Sequence, residues 1–272
     1  MSSKNSLIYE TRSNQTFLKN INTKKILNLL WDHRQLSRLE LAQFSRLNKK
    51  TITNIVTPLI EDGVISPCGF RDSEAGRRQE LLELVPSHSY HMGLDVGQTQ
   101  LQCVIIDFCG NIIAQQGAEL RVNTNSAIIM QMAKTLMDNV IRISGLDRSK
   151  IRSLGFSVPG FVDREKGVSH SALTIPDWQN IPVKDILTKE LDVPFYIEDS
   201  SRTTALAEYR IGAGKGANDF ILFDLGYGVG CGIFIDGQMY MGSTINRAKS
   251  ATPSSSRTVR CVNADTAAVS NR

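Results

Sequence analysis

The stretch that most constrains this chain is Leu225-Gly-Tyr-Gly-Val-Gly-Cys-Gly232. It reads as a strand end, a glycine-rich turn and a second strand, Ile233-Phe-Ile-Asp236. Glycines at alternate positions give a backbone that can take positive φ and approach a ligand closely. Such a loop suits a phosphate or sugar cradle made of backbone N–H groups. Taken alone it suits equally a glycine-rich β-hairpin in a tight sheet corner. A second stretch of the same kind, Gly93-Leu-Asp-Val-Gly-Gln-Thr99, stands at the end of an earlier strand and favours the cradle.

The region around these stretches alternates strands with helices. Strand patterns cover Tyr90 to Asp95, Leu101 to Asp107, Ile112 to Ala114, Leu154 to Val158 and Phe195 to Glu198. Between and after them lie helical patterns at 126–143, at Val183 to Leu191 and from about Thr203 to Arg210. In the first helix Ile128, Ile129, Met132, Leu136, Val140 and Ile143 line one side. Strands separated by helices predict an α/β domain.

The first eighty residues are different in kind. They hold 13 Lys and Arg against 8 Asp and Glu, while the remainder holds 18 against 19, so the net charge of +4 sits at the N-terminal end. A basic segment on a neutral body suggests a nucleic-acid-binding appendage. Residues 1–20 are polar and unpatterned and read as a loose arm. Ile26, Leu27, Leu29, Leu30 and Trp31 then mark a helix that ends near His33. Ser37-Arg-Leu-Glu40 is a capping box opening a short second helix with Leu39, Leu41, Ala42 and Phe44. A tight turn through Arg46-Leu47 leads to Asn48, a good N-cap for a third helix with Ile52, Ile55, Val56, Leu59 and Ile60 inward and Gly63 at its C-terminal end. Pro58 should kink it past its first two turns.

Short helix, tight turn and a helix with a polar leading face make a helix-turn-helix. A strand at Val64 to Ser66, a loop with Arg71, Gly76, Arg77 and Arg78, and a strand at Leu81 to Leu84 make a β-hairpin wing. The candidate DNA contacts are therefore Ser37, Arg38, Asn48, Lys49, Lys50, Thr51, Thr53, Asn54, Arg71, Arg77 and Arg78, able to donate to phosphates or read base edges. A three-helix protein-interaction module would show the same helices without the basic leading turn and the arginine wing.

No apolar run reaches membrane-spanning length and the N-terminus lacks a signal-peptide core, which reads as cytoplasmic. The cysteines, Cys68, Cys103, Cys109, Cys231 and Cys261, show no paired spacing and read as buried reduced thiols; no cofactor is expected.

The chain resembles the ROK family (repressors, open reading frames and sugar kinases), specifically its winged-helix transcriptional regulators, over roughly residues 20–247. The matching pieces are the helix-turn-helix, the Gly76-Arg-Arg78 wing, the two glycine stretches, Ser157-Val-Pro-Gly160 with Val162-Asp163, Pro176-Asp-Trp178, Glu198-Asp-Ser-Ser201 and Ala205-Leu-Ala-Glu208. The resemblance implies a winged helix-turn-helix at 21–86 and an actin-like (ribonuclease H-like, sugar kinase type) ATPase-fold domain at 90–247 whose second lobe is incomplete.

Departures from the family's kinases argue against phosphoryl transfer. The first phosphate loop has Gln98 where the kinases have Gly, and the second has Tyr227 in place of a small Thr. The kinases' catalytic Asp, which takes the proton from the sugar hydroxyl, falls at Ser200, and a hydroxyl cannot be that base at neutral pH. The sugar-holding Asn residues fall at Asp199 and Thr174. The resemblance thus implies a sensor and no catalytic residue, with Thr174, Glu198 and Asp199 as sugar-binding candidates and vestigial phosphate loops at Asp95, Gly97, Thr99, Gly226, Gly228 and Gly230.

After Arg247 periodicity and aliphatic residues disappear. The family has there a GEIGH segment and a CxCGxxGCxE zinc-binding segment, both absent from this chain as written. Residues 257–272 can be encoded by codons that, read with a T placed in front, give SDGPLCQCGHRGCLES, and the same shift of residues 248–255 permits EIGHTVV. Synonymous choice leaves freedom mainly in the first base of each shifted codon, so the whole zinc pattern is not expected by chance. The expectation is a small insertion or deletion near codon 247, an out-of-frame, disordered tail at 248–272, and a truncated lobe exposing part of its core.

The function expected is a repressor of carbohydrate uptake or metabolism genes that binds double-stranded operator DNA as a homo-oligomer and takes a sugar or sugar phosphate as effector. The alternatives are an ATP-dependent sugar kinase with a fused DNA-binding domain, and a non-functional truncated remnant.

Overall fold

The computed structural model describes residues 3–72, 78–121, 123–172, 174–189, 191–225 and 228–241, with side chains from Leu18 onward. The N-terminal unit begins with α1 (Ser3–His33), followed by β1 (Gln35–Ser37), α2 (Arg38–Ser45), α3 (Lys49–Glu61), β2 (Ile65–Arg71) and β3 (Gln79–Leu84). The segment expected as a loose arm instead continues α1 upstream to Ser3; from there to His33 no glycine or proline interrupts it. The wing strands are longer than the apolar runs suggested, and β1 joins them in the order β1-β3-β2. Ile26, Leu30, Leu41, Ile52, Val56 and Leu82 are fully buried or nearly so and form this unit's core.

Local chemistry explains the helix limits. Glu40 N–H donates to Ser37 Oγ at 3.2 Å and Ser37 N–H to Glu40 Oε2 at 2.7 Å, completing the capping box. Arg46 turns the chain in the left-handed region (φ 57°) between α2 and α3. Thr51 N–H donates to Asn48 Oδ1 at 2.8 Å to cap α3. That helix runs on through Pro58 to Glu61. Gly63 at φ 67° then closes it, with Val64 N–H on the Leu59 carbonyl at 2.8 Å and Gly63 N–H on the Ile60 carbonyl at 3.0 Å.

A short 3-10 turn, Pro86–His88, leads into the body. Its main sheet contains β4 (Tyr90–Val96), β5 (Gln100–Asp107), β6 (Ile112–Glu119), β7 (Ile151–Val158) and β11 (Phe195–Asp199) in the order β11-β7-β4-β5-β6. The strands β11, β7 and β4 are parallel, whereas β4, β5 and β6 form an antiparallel meander. One face, with Leu94, Leu101, Ile105, Leu154 and Phe156, packs on α4 (Ser126–Ser144). The buried stripe of α4 is Ile129, Met130, Ala133, Leu136, Met137, Val140 and Ile141. Ile128 and Ile143, expected inward, are about half exposed because the observed stripe is rotated from the one chosen by the periodicity.

Two smaller sheets complete the body. The first, β8 (Phe161–Asp163), β9 (Val168–Ser171) and β10 (Gln179–Ile181), is anchored by Trp178, whose indole N–H donates to Ser169 Oγ at 2.8 Å in the interior. It precedes α5 (Val183–Leu187). The second is β12 (Phe220–Leu225), β13 (Val229–Ile235) and β14 (Gln238–Met239), packed on α6 (Ser200–Ile211). Tyr209 stacks on Phe234 at 4.1 Å in that contact. On the other face of the hairpin Ile221, Phe223 and Leu225 are exposed. The expected out-of-frame tail, with Cys261, lies outside the described residues.

Candidate nucleic-acid interface and effector cleft

Helix α3 turns Ile52, Ile55 and Val56 inward and leaves Asn48, Lys49, Lys50, Thr53 and Asn54 exposed, with Thr51 half-buried. Thr53 Oγ1 donates back to the Lys49 carbonyl at 3.0 Å, and Asn48 is engaged as the cap. Two lysines stand in the first turn, where no acidic residue is present. Positive charge at a helix N-terminus opposes the helix dipole, so the arrangement favours an anionic partner over the isolated fold.

The wing is tied to α2 rather than loose. Ser37, expected among the DNA contacts, is buried, and its Oγ donates to Gln79 Oε1 at 2.8 Å. Arg38 pairs with Glu80 on β3, and Arg71 Nη1 meets Glu40 Oε1 at 2.8 Å. Burial alone would raise the Glu40 carboxyl, but hydrogen bonds from Ser37 and the Arg71 guanidinium outweigh it and hold the group below its usual value. Arg78 pairs with Asp72 at 3.5 Å and lies over the exposed Phe70 ring at 5.5 Å. Arg77 and Gly76 lie outside the described residues.

In the body, register assembles the candidate cleft. Gln102, Asp95, Ser157 and Glu198 are neighbours in one row across β5, β4, β7 and β11, at the carboxyl ends of the parallel strands. That is where open α/β sheets bind ligands. Asp95, Gln98 and Thr99 are exposed there, and Gly97 N–H closes the turn on the Gln100 carbonyl at 2.9 Å. Thr174 is exposed in the loop between β9 and β10.

Two of the sugar-binding candidates already hold protein partners. Glu198 Oε2 accepts from Arg164 Nε at 2.6 Å, and its Oε1 lies 3.6 Å from the Arg202 guanidinium. Asp199 caps α6, accepting from Ser201 N–H at 3.1 Å, and its other oxygen accepts from Gly160 N–H at 3.2 Å. Neither Arg164 nor Arg202 was singled out from sequence; the Glu198–Arg202 spacing of four on a helix start was the available signal.

The glycine stretch of 225–232 divides. A Cβ at Gly230 would collide with Ser201 Oγ, and one at Gly232 with Ala205 Cβ. These glycines let α6 lie close on the β12–β13 hairpin, so for them the hairpin reading holds. Gly228 faces open space, while Gly226 and Tyr227 lie outside the described residues.

Cys103 and Cys109 are buried and Cys68 and Cys231 half-buried; burial pushes the Cys103 thiol up to about 12. Among the described residues no group of His, Cys, Asp and Glu could hold a metal ion, and no helix is long and apolar enough to cross a membrane.

The ROK family profile matches residues 91–247, more than half of the sequence, and a winged helix-turn-helix DNA-binding profile matches residues 19–66. The chain belongs to the ROK family. Over 232 residues it is 28% identical to the xylose repressor of Caldicellulosiruptor bescii, covering 85% of this chain and 57% of that protein. It is 30% identical over 158 residues to a glucokinase of Halalkalibacterium halodurans, covering 57% of this chain and 47% of that one. Among solved structures, a ROK family transcriptional regulator homologous to Mlc of E. coli matches with a TM-score of 0.65 and 21% identity, over 83% of this chain and 57% of that chain. That likeness carries the fold. This ROK chain spans little more than half the length of the xylose repressor it matches.

Proposed function

We propose that the protein is a transcriptional repressor of carbohydrate uptake or metabolism genes, binding operator DNA through α3 and the wing and sensing a sugar or sugar phosphate in its body. One observation carries the reading. The capped N-terminus of α3 presents Lys49 and Lys50 to solvent against its own dipole, with Asn54 beside them. A duplex phosphate backbone supplies the missing negative charge, and the exposed amide and hydroxyl groups supply base-edge contacts. Arg71 and Arg78, at the exposed side of the wing, would exchange their carboxylate partners for phosphates.

The body would act as a sensor and not as a kinase. Ser200, the first residue of α6, stands where the resemblance places the kinases' base. Asp199 beside it is engaged at both oxygens. An effector bound above the row of Asp95, Ser157 and Glu198 would favour one conformation of the body and so change operator affinity. A homo-oligomer with two winged helices reads a palindromic site.

The test is selection of binding sites from a random duplex pool by the full chain, followed by titration with and without D-xylose, the sugar in the name of several relatives. The expected result is an enriched palindrome whose affinity falls with salt and shifts with the sugar. Absence of any enriched sequence, together with sugar-dependent ATP hydrolysis, would instead make this chain a kinase.

A further inference from the structure

The β5–β6 turn, residues 107–111, belongs to the body by sequence and to the winged helix by packing. Cys109 is buried in the same apolar cluster as Ile26, Ile52, Ile55 and Val56. Its Sγ lies 3.7 Å from the Leu84 carbonyl, and its own carbonyl accepts from Arg34 Nη1 at 3.1 Å. Gly110 stands at φ 82°, and a Cβ there would collide with the Trp31 ring, so α1 packs directly on the turn's backbone. Phe108 N–H donates to the Pro86 carbonyl at 3.1 Å, and His88 meets the Phe108 ring edge-on at 5.2 Å.

The turn is internally braced. Asp107 is buried, and its Oδ1 accepts from Cys109 N–H at 2.8 Å and Asn111 N–H at 2.9 Å. Its Oδ2 accepts from Asn111 Nδ2 at 2.8 Å. Charge-assisted bonds of this kind fix the loop as one piece. On the other side Arg34 sits in the left-handed region (φ 67°), which is unfavourable for a residue with a Cβ. Its guanidinium lies 5.8 Å from the Trp31 ring centroid while it holds the Cys109 carbonyl.

The other end of β5 is the first glycine stretch, where Gln100 closes the turn on Gly97. A strand of this length spans roughly 25 Å and is held in the sheet on both sides, by β4 and β6. It therefore joins the exposed end of the candidate cleft to the core beneath α3.

We infer that the Asp107–Asn111 turn is the coupling element of the molecule: displacement of β5 at the cleft is delivered through this turn into the winged-helix core and resets how α3 and the wing face DNA. The effector half of this inference rests on the sensor reading above; the mechanical half does not. A packed core transmits a shift because it has discrete arrangements and is not continuously deformable. A connection through the 86–88 segment alone would leave the two units free to open independently.

The test uses the full chain, with Asn111→Ala, which unbraces the turn, and Arg34→Gln, which releases the Cys109 carbonyl. Both leave the apolar core residues in place. Amide hydrogen exchange is followed in α2, α3 and α4. Protection in α2 and α3 should fall by about tenfold or more in both variants, while α4 keeps its native protection. Unchanged protection in α2 and α3, or an equal fall in α4, would overturn the coupling role. Operator titration with and without D-xylose is the second arm. The variants should still bind both, with the sugar-induced change in operator affinity reduced toward a factor of one. A retained native change would also overturn the inference. If the native protein itself shows no response to D-xylose, the sensor reading loses that sugar, and the exchange result alone decides the mechanical claim.

Discussion

In the winged helix the ion pairs lie at the surface, with the Arg71 side chain 52% exposed against Glu40, whereas in the body the Arg202 side chain is 6% exposed beside Glu198. The first kind of pair can trade a carboxylate for a phosphate at little cost, because solvent already screens it. The second kind cannot open without leaving a buried cation unpaired. Among the described residues Arg202 Nη2 already has no hydrogen-bond partner, and neither has the buried Ser157 Oγ in the neighbouring strand. The charges of the N-terminal unit are therefore open to exchange, whereas Arg202 beside Glu198 is committed to the fold of the body.

Substitutions at these pairs and at the helix caps probe the contrast. Glu198→Ala should destabilise the chain most, by about 3 kcal/mol in urea unfolding, because it leaves the buried Arg202 guanidinium without its carboxylate. A loss below about 1 kcal/mol would place the pair with the surface pairs and break the comparison. Asn48→Ala removes the cap of α3 and should cost about 1 kcal/mol. Its effect on operator affinity should exceed that of Asn125→Ala, the cap of α4, since the first turn of α3 carries the exposed Lys49 and Lys50 and that of α4 carries no basic residue.

Arg71→Gln should cost the least, under about 1 kcal/mol. The pair it breaks also has a pH signature. The Glu40 carboxyl lies below its usual value in the folded state, so its contribution is fully present above the ordinary carboxylate range and is lost as pH falls through the folded value. The stability difference between the native chain and Glu40→Gln should close on acidification; a difference that persisted at low pH would assign it to packing.

What sequence made legible was the chemistry that acts over three or four residues. The Ser37–Glu40 box, the Asn48 cap and the Gly63 terminator are all found as read, because each is a local bargain between a side chain and its own backbone. The α/β body and its ROK membership were equally readable from ordered motifs. Long-range pairing was not. Strand β1 exists only because Leu36 lies opposite Leu82 on β3, and the row of Asp95, Ser157 and Glu198 exists only through register between strands about sixty and forty residues apart. The same limit hid the role of Gly230 and Gly232, whose missing Cβ atoms matter to Ser201 and Ala205 on α6 and not to their own turn.

The central claim is that α3 meets DNA phosphates through Lys49 and Lys50. The direct measurement is the salt dependence of operator binding by the native chain and by Lys49→Ala with Lys50→Ala. Each phosphate contact contributes about 0.9 to the slope of log K against log salt, so the double variant should be shallower by about 1.8 and weaker on every sequence. An unchanged slope with unchanged affinity would remove α3 from the interface and, with it, the repressor reading built on that helix.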